Sequence, residues 1–88
     1  MTDFSYRLTV HAQERIAQRK IVLEWISRTL QNPQKLEPDP LKTNLTQAYR
    51  EIPEYNNNVH KVVYDSNESP WLIITVHFDR KYKGKLLI

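Results

Sequence analysis

The 88-residue sequence predicts an α+β fold in which two N-terminal helices pack on one face of a three- to four-stranded, mostly antiparallel sheet. Two observations carry this. Apolar residues recur at helical spacing up to about residue 32: Ala12 and Ile16, then Leu23, Ile26 and Leu30 with Trp25 among them. From about residue 47 the period changes to two, in three short runs separated by turn-forming residues. A third observation bounds the organisation. There is a single glycine, Gly84, and no repeat or low-complexity tract, so one domain over residues 1–88 is expected.

Each element has a local reason. Thr9 can cap a first helix of about residues 10–19 through its hydroxyl. Ala12 and Ile16 face the core, while His11, Arg15 and Gln18/Arg19 fall about 100° away on a neighbouring side. A second helix covers about residues 23–32 and stops at Asn32-Pro33, because a proline disfavours helix in the residue before it. Ile21 is placed to pack back on Trp25 or Ile26, but Val22 is a poor cap. "PQKLEPDPLKTNLT", with three prolines, reads as an irregular or edge segment.

The strands are residues 47–52, 59–65 and 71–79, with turns at "PEYNNN" and "SNESP"; such short connections imply an antiparallel meander. In the last strand Leu72, Ile74, Val76 and Phe78 form the expected core face. Trp71, Ile73, Thr75, His77 and Asp79 form the other face, left open to bind something. The tail "RKYKGKLLI" is basic and then apolar, and suits a short edge strand or an arm that docks on a partner.

Composition excludes several classes. There is no cysteine, hence no disulfide framework and no thiolate metal site, which fits a reducing cytoplasm. No run approaches the roughly 18 apolar residues of a membrane span. The N-terminus lacks the basic-then-apolar order of a signal peptide, so neither membrane nor export is expected. Without glycine clusters there is no phosphate loop or dinucleotide fingerprint, and no cofactor is expected. A net charge of +3 and a pI near 9.3 suit a polyanion or an acidic protein partner.

The chemistry-bearing residues fall in two places. His11, Arg15 and Arg19 stand four apart down one helix side. Two guanidiniums can hold a phosphate with bidentate hydrogen bonds, and a histidine beside them can move a proton. The plain alternative is a solvated face, with Arg15 and Arg19 paired to Glu14, Glu24 or strand carboxylates. His77 lies near the end of the strongest strand with Asp79 two residues on, able to orient it. Register decides which of Arg50, Lys61 and Tyr64 share its face. His60, between Val59 and Lys61, is expected to decorate its strand. The spacing of His11, His60 and His77 matches no zinc pattern, so no metal is expected. Trp25 reads as core, and Trp71 as core or base-stacking platform. Arg80, Lys81, Lys83 and Lys85, with Tyr82 interleaved, make a basic patch of the kind that tracks phosphates.

The order "HAQERIAQRKI", a helix closing on "QNPQKLEPD", then "YREIP", "VHKVVYD" and "WLIITVHFD", resembles a small prokaryotic domain of unknown function. Its mark is H-A-x-E-R-x-x-x-R, met here by His11, Glu14, Arg15 and Arg19, and His77 matches its polar strand-end position. Lys20-Ile21 stands where the family has a glycine, and Val22 where it has a Ser, Thr or Asp cap. The resemblance implies a fold like that of RelE-type toxins, ribonucleases held in check by a small antitoxin protein.

The leading expectation is therefore a metal-independent, toxin-like ribonuclease. His11 and His77 would be its acid–base pair and Arg15 and Arg19 would hold the scissile phosphate. Arg50, Lys61, Tyr64, Lys81 and Lys83 would contact the RNA. The alternatives are a non-catalytic interaction module, binding a protein partner or a second copy of the chain, and a nucleic-acid binder without cleavage. Trp71 and Ile73 exposed side by side would mark the interaction module.

Overall fold

Thr9 caps the first helix as its position implies, and it also ties that helix to the sheet. Its hydroxyl accepts the Ala12 N–H at 3.0 Å and donates to the Ile74 carbonyl at 2.9 Å. Its own N–H donates to the Ile73 carbonyl at 3.1 Å. The computed structural model describes residues 5–86. In chain order the elements are β1 (Tyr6–Leu8), α1 (Val10–Arg19), α2 (Leu23–Gln31), β2 (Lys35–Pro38), β3 (Thr46–Ile52), a 3-10 turn (Pro53–Tyr55), β4 (Asn58–Asp65) and β5 (Trp71–Asp79).

The sheet corrects the expected three- to four-stranded, mostly antiparallel one. It has five strands in the order β1-β5-β4-β3-β2, and it is mixed, because β1 runs parallel to β5 while the other pairs are antiparallel. The extra strands are its two edges. β1 is three residues long, too short for an alternation to show in sequence. β2 falls in the proline-rich segment, where an edge position tolerates Pro38.

A bulge in β5 decides which side chains face the helices. Thr75 pairs with Val63 but Ile73 pairs with Tyr64, so Ile74 is one residue too many and the alternation inverts there. Val76 and Phe78 pack toward the helices as expected, but Ile73, not Leu72 or Ile74, joins them from the first half of the strand. Ile73 is 0% exposed, and Trp71 stacks on Tyr64 at 4.7 Å. The exposed Trp71–Ile73 pair that would mark an interaction module is absent.

On this face Ala12, Ile21, Trp25, Ile26 and Leu30 from the helical half meet Ala48, Ile52, Val62, Tyr64, Ile73 and Val76 from the sheet. Lys20 closes α1 at φ 54, a left-handed conformation that favours glycine. No side chain caps α2 at Val22.

His60 corrects another expectation: it does not decorate β4 but is wholly buried. The Thr29 hydroxyl donates to the Trp25 carbonyl at 2.8 Å, so its oxygen is left to accept from His60 Nδ1, 3.1 Å away. The ring thereby keeps a proton on Nδ1, and Nε2 has no partner among the described residues. Burial pushes its pKa from 6.5 down to about 4.

The opposite sheet face is covered in part, around Tyr49. Tyr49 is buried, and its hydroxyl lies 3.1 Å from Glu37 Oε1 and 2.9 Å from Gln47 Oε1. After β5 the chain turns back, and Tyr82 sets its ring edge-on to Tyr49 at 4.9 Å and donates its hydroxyl to Glu37 Oε2 at 2.7 Å. The chain after β5 thus docks on the protein's own sheet through Tyr82, and residues 81–85 are a turn and not an edge strand. The last two residues of "KGKLLI" lie outside the described residues. No helix among the described residues is long and apolar enough to cross a membrane.

Two outcomes follow from these contacts. Thr9→Val keeps the shape but loses the cap and the bond to Ile74, so urea unfolding should show a loss of about 2 kcal/mol, largely restored by Thr9→Ser. An unaltered midpoint for Thr9→Val would remove Thr9 as the tie. His60 binds its proton more weakly folded than unfolded, so unfolding takes up a proton between about pH 4 and pH 6.5. Stability contributed by the neutral ring is complete above 6.5, falls as pH drops toward about 4, and is level below that. The loss amounts to about 3 kcal/mol, and His60→Leu should flatten that part of the pH profile. Parallel profiles for the two proteins would contradict it.

Candidate functional site

The cleft arises where a helix and a strand run side by side with matching steps. Along α1, side chains four residues apart are about 6 Å apart in rise. Along β5, side chains two apart are about 6.6 Å apart. Thr9 pins the start of α1 at Ile73 and Ile74. Beyond residue 73, β1 no longer pairs with β5. From that pin, α1 travels about 15 Å over ten residues and the rest of β5 about 16 Å over five. The two reach the same level, and Arg19 at the end of α1 shares a hollow with Asp79 at the end of β5.

His11, Arg15 and Arg19 on the helix thereby meet Thr75 and His77 on the strand in one cleft of about 360 Å³, which Phe78 also lines. All four residues picked as catalytic candidates, His11, His77, Arg15 and Arg19, are in it. Thr75 and His77 lie beyond the bulge, so the inversion leaves them on the face opposite Val76. Lys61 stands directly across from His77 on β4, and Tyr49 directly across from Lys61 on β3, forming one row on that face. The Lys61 ammonium sits 5.6 Å from the Tyr49 ring centre.

The charges of this cleft are not neutralised within the described chain. The alternative pairing of Arg15 and Arg19 with Glu24 does not occur: Glu24 lies 3.2 Å from Arg28, which also donates to Glu54 at 2.9 and 2.7 Å. Among the described residues neither Arg15 nor Arg19 makes an ion pair. Partial burial, and then the positive field of Lys61, push the His77 pKa below its ordinary value; Asp79 opposes this, and Arg15 and Arg19 add to it. His77 is therefore a neutral imidazole at pH 7, next to unpaired guanidiniums suited to an oxyanion.

The remaining sequence candidates are placed as follows. Arg50 projects to the helix side, where its guanidinium donates to the Asn32 carbonyl at 2.9 Å. Tyr64 is buried under Trp71. Neither reaches the cleft, because each is an odd number of residues from the outward-facing Tyr49 or Lys61 on its strand. The Lys81 N–H donates to Asp79 Oδ1 and its ammonium lies 4.8 Å from the Tyr82 ring centre. Lys83 lines the neighbouring hollow with Arg19. Among the described residues no group of three histidines or carboxylates gathers as a metal site. Phe78, taken from sequence as core alone, is a lining residue that its apolar character concealed.

The family model described as "Domain of unknown function (DUF4258)" matches residues 8–78, and the chain belongs to that family. The matched span holds Thr9, α1 and β5 through Phe78, and so every residue lining the cleft. No curated protein and no solved structure matches the chain.

An NMR titration should place the His77 midpoint below 6.5. Lys61→Met removes a cation whose field disfavours the imidazolium, so it should move that midpoint up. A wild-type midpoint at or above 6.5 would remove the neutral base from the site.

Proposed function

We propose that this protein is a ribonuclease of the toxin type that cleaves RNA without a metal ion, with RNA as substrate and a small antitoxin protein as its controlling partner. The observation that carries the reading is the convergence of two histidines and two unpaired arginines in one cleft. In this reading neutral His77 takes the proton of a ribose 2′-hydroxyl, and that oxygen attacks the adjacent phosphorus. Arg15 and Arg19 hold the non-bridging oxygens as negative charge builds on them. The bond from phosphorus to the 5′-oxygen breaks, and His11 donates a proton to that leaving oxygen. The products are a 2′,3′-cyclic phosphate and a 5′-hydroxyl.

The test is incubation of purified protein with a single-stranded RNA oligonucleotide in the presence of a chelator. Cleavage should leave cyclic-phosphate ends and be blocked by a 2′-deoxy sugar at the scissile position. His77→Ala and His11→Ala should each lower kcat/KM by about 100-fold or more. Arg15→Ala and Arg19→Ala should act mainly on kcat. The wild-type rate should fall as pH drops through the lowered His77 midpoint, because the base is then protonated. RNA left intact by folded wild-type protein would overturn the reading. RNA left intact yet bound with steep salt dependence would move it to a nucleic-acid binder.

A further inference from the structure

Beside the cleft lies a second hollow of about 460 Å³, joined to the first through Arg19 and Phe78, which line both. Tyr55 stands in it, 44% exposed and backed by other rings: Trp25 at 5.2 Å and Phe78 at 4.9 Å between centroids. That backing fixes a flat aromatic surface at the mouth of a hollow. Arg80 and Lys83 join Arg19 there, and none of the three makes an ion pair among the described residues. Asn58 and Asp79 supply the remaining polar groups. The Asn58 side chain makes no hydrogen bond among the described residues, and Asp79 uses only Oδ1, toward the Lys81 N–H. An amide and a carboxylate oxygen are thus available to the donor and acceptor edge of a base. A purely phosphate-binding pocket would gain nothing from a carboxylate.

We infer that this hollow is a nucleotide subsite, which holds the nucleotide next to the scissile phosphate of a single-stranded RNA, its base on Tyr55 and its phosphate among Arg19, Arg80 and Lys83. The inference rests on the ribonuclease reading of the adjoining cleft. Only an unpaired base can leave its own stack to lie on a protein ring, so the substrate is single-stranded at this point. A shared arginine places the two phosphate positions next to each other, as successive nucleotides require.

The experiment separates the subsite from the chemistry. A fluorescein-labelled, fully 2′-O-methylated RNA tetranucleotide has no free 2′-hydroxyl, so it reports binding alone by anisotropy. Tyr55→Leu keeps an apolar side chain against Trp25 and Phe78 but has no ring; it should weaken binding about tenfold, and Tyr55→Trp should retain it. The double variant Arg80→Ala/Lys83→Ala lies outside the core and should lower the salt slope by about one to two. No binding by wild type, or wild-type affinity and salt slope in Tyr55→Leu and the double variant, would overturn the subsite even if RNA is cleaved. The expected losses in a protein that leaves unmodified RNA intact would keep the subsite and overturn the ribonuclease.

Discussion

The arrangement depends on the hydrogen bonds at Thr9. A β-bulge displaces the Ile74 carbonyl from the regular ladder, and the Thr9 hydroxyl takes it up while also capping α1. The backbone N–H of the same residue holds the Ile73 carbonyl. Helix origin and strand bulge are thus one joint. If α1 began one residue later, each of its side chains would turn by about 100° relative to β5, and His11 and Arg15 would no longer face Thr75 and His77. The polar cleft is a consequence of where a backbone irregularity is satisfied.

The parts of this architecture that were legible in the sequence are the ones governed by local pattern. Thr9 as a cap, Ala12 and Ile16 as the buried side of α1, Trp25 as core, and the limits of β5 all follow from spacing and residue type. The His11/Arg15/Arg19 ladder was visible for the same reason, and so was His77 on the face opposite Val76. What was hidden depends on partners far away in the chain. Three residues, Tyr6–Leu8, become a strand only because β5 offers them a parallel edge. The bulge at Ile74 leaves no mark in a run where Leu72, Ile73 and Ile74 are equally apolar, so the core face of β5 was half misassigned. His60 looked like an exposed strand residue because nothing local shows that Thr29 and Phe78 close over it.

The charges divide into two populations. Arg7, Arg28 and Lys35 are engaged with Glu68, with Glu24 and Glu54, and with Glu37, on exposed or half-exposed parts of the fold. Among the described residues Arg15 and Arg19 have no such partners, although they share the chain with Glu14 and Glu24. Like charges gathered without counter-charges repel, and that arrangement is destabilising unless a ligand supplies the opposite sign. Partial burial first, then Lys61, lower the His77 pKa, and Arg15 and Arg19 add to that shift. The cleft thus gathers cations around an imidazole whose pKa they help to lower.

The near-match of the helical and strand steps behaves like a vernier. Two scales graduated at about 6 and about 6.6 Å coincide well for two or three divisions and then drift apart by about 0.6 Å at each further one. A helix laid beside a strand can therefore present facing side chains over little more than the reach of one phosphodiester unit. Lengthening both would not lengthen the groove. Extra reach has to come from chain that obeys neither scale, and residues 80–83, which turn back from the end of β5 beyond the span shared with the family, are so placed. In such a design the frame sets where the cleft lies, and a short loop is free to set how far the surface beside it extends.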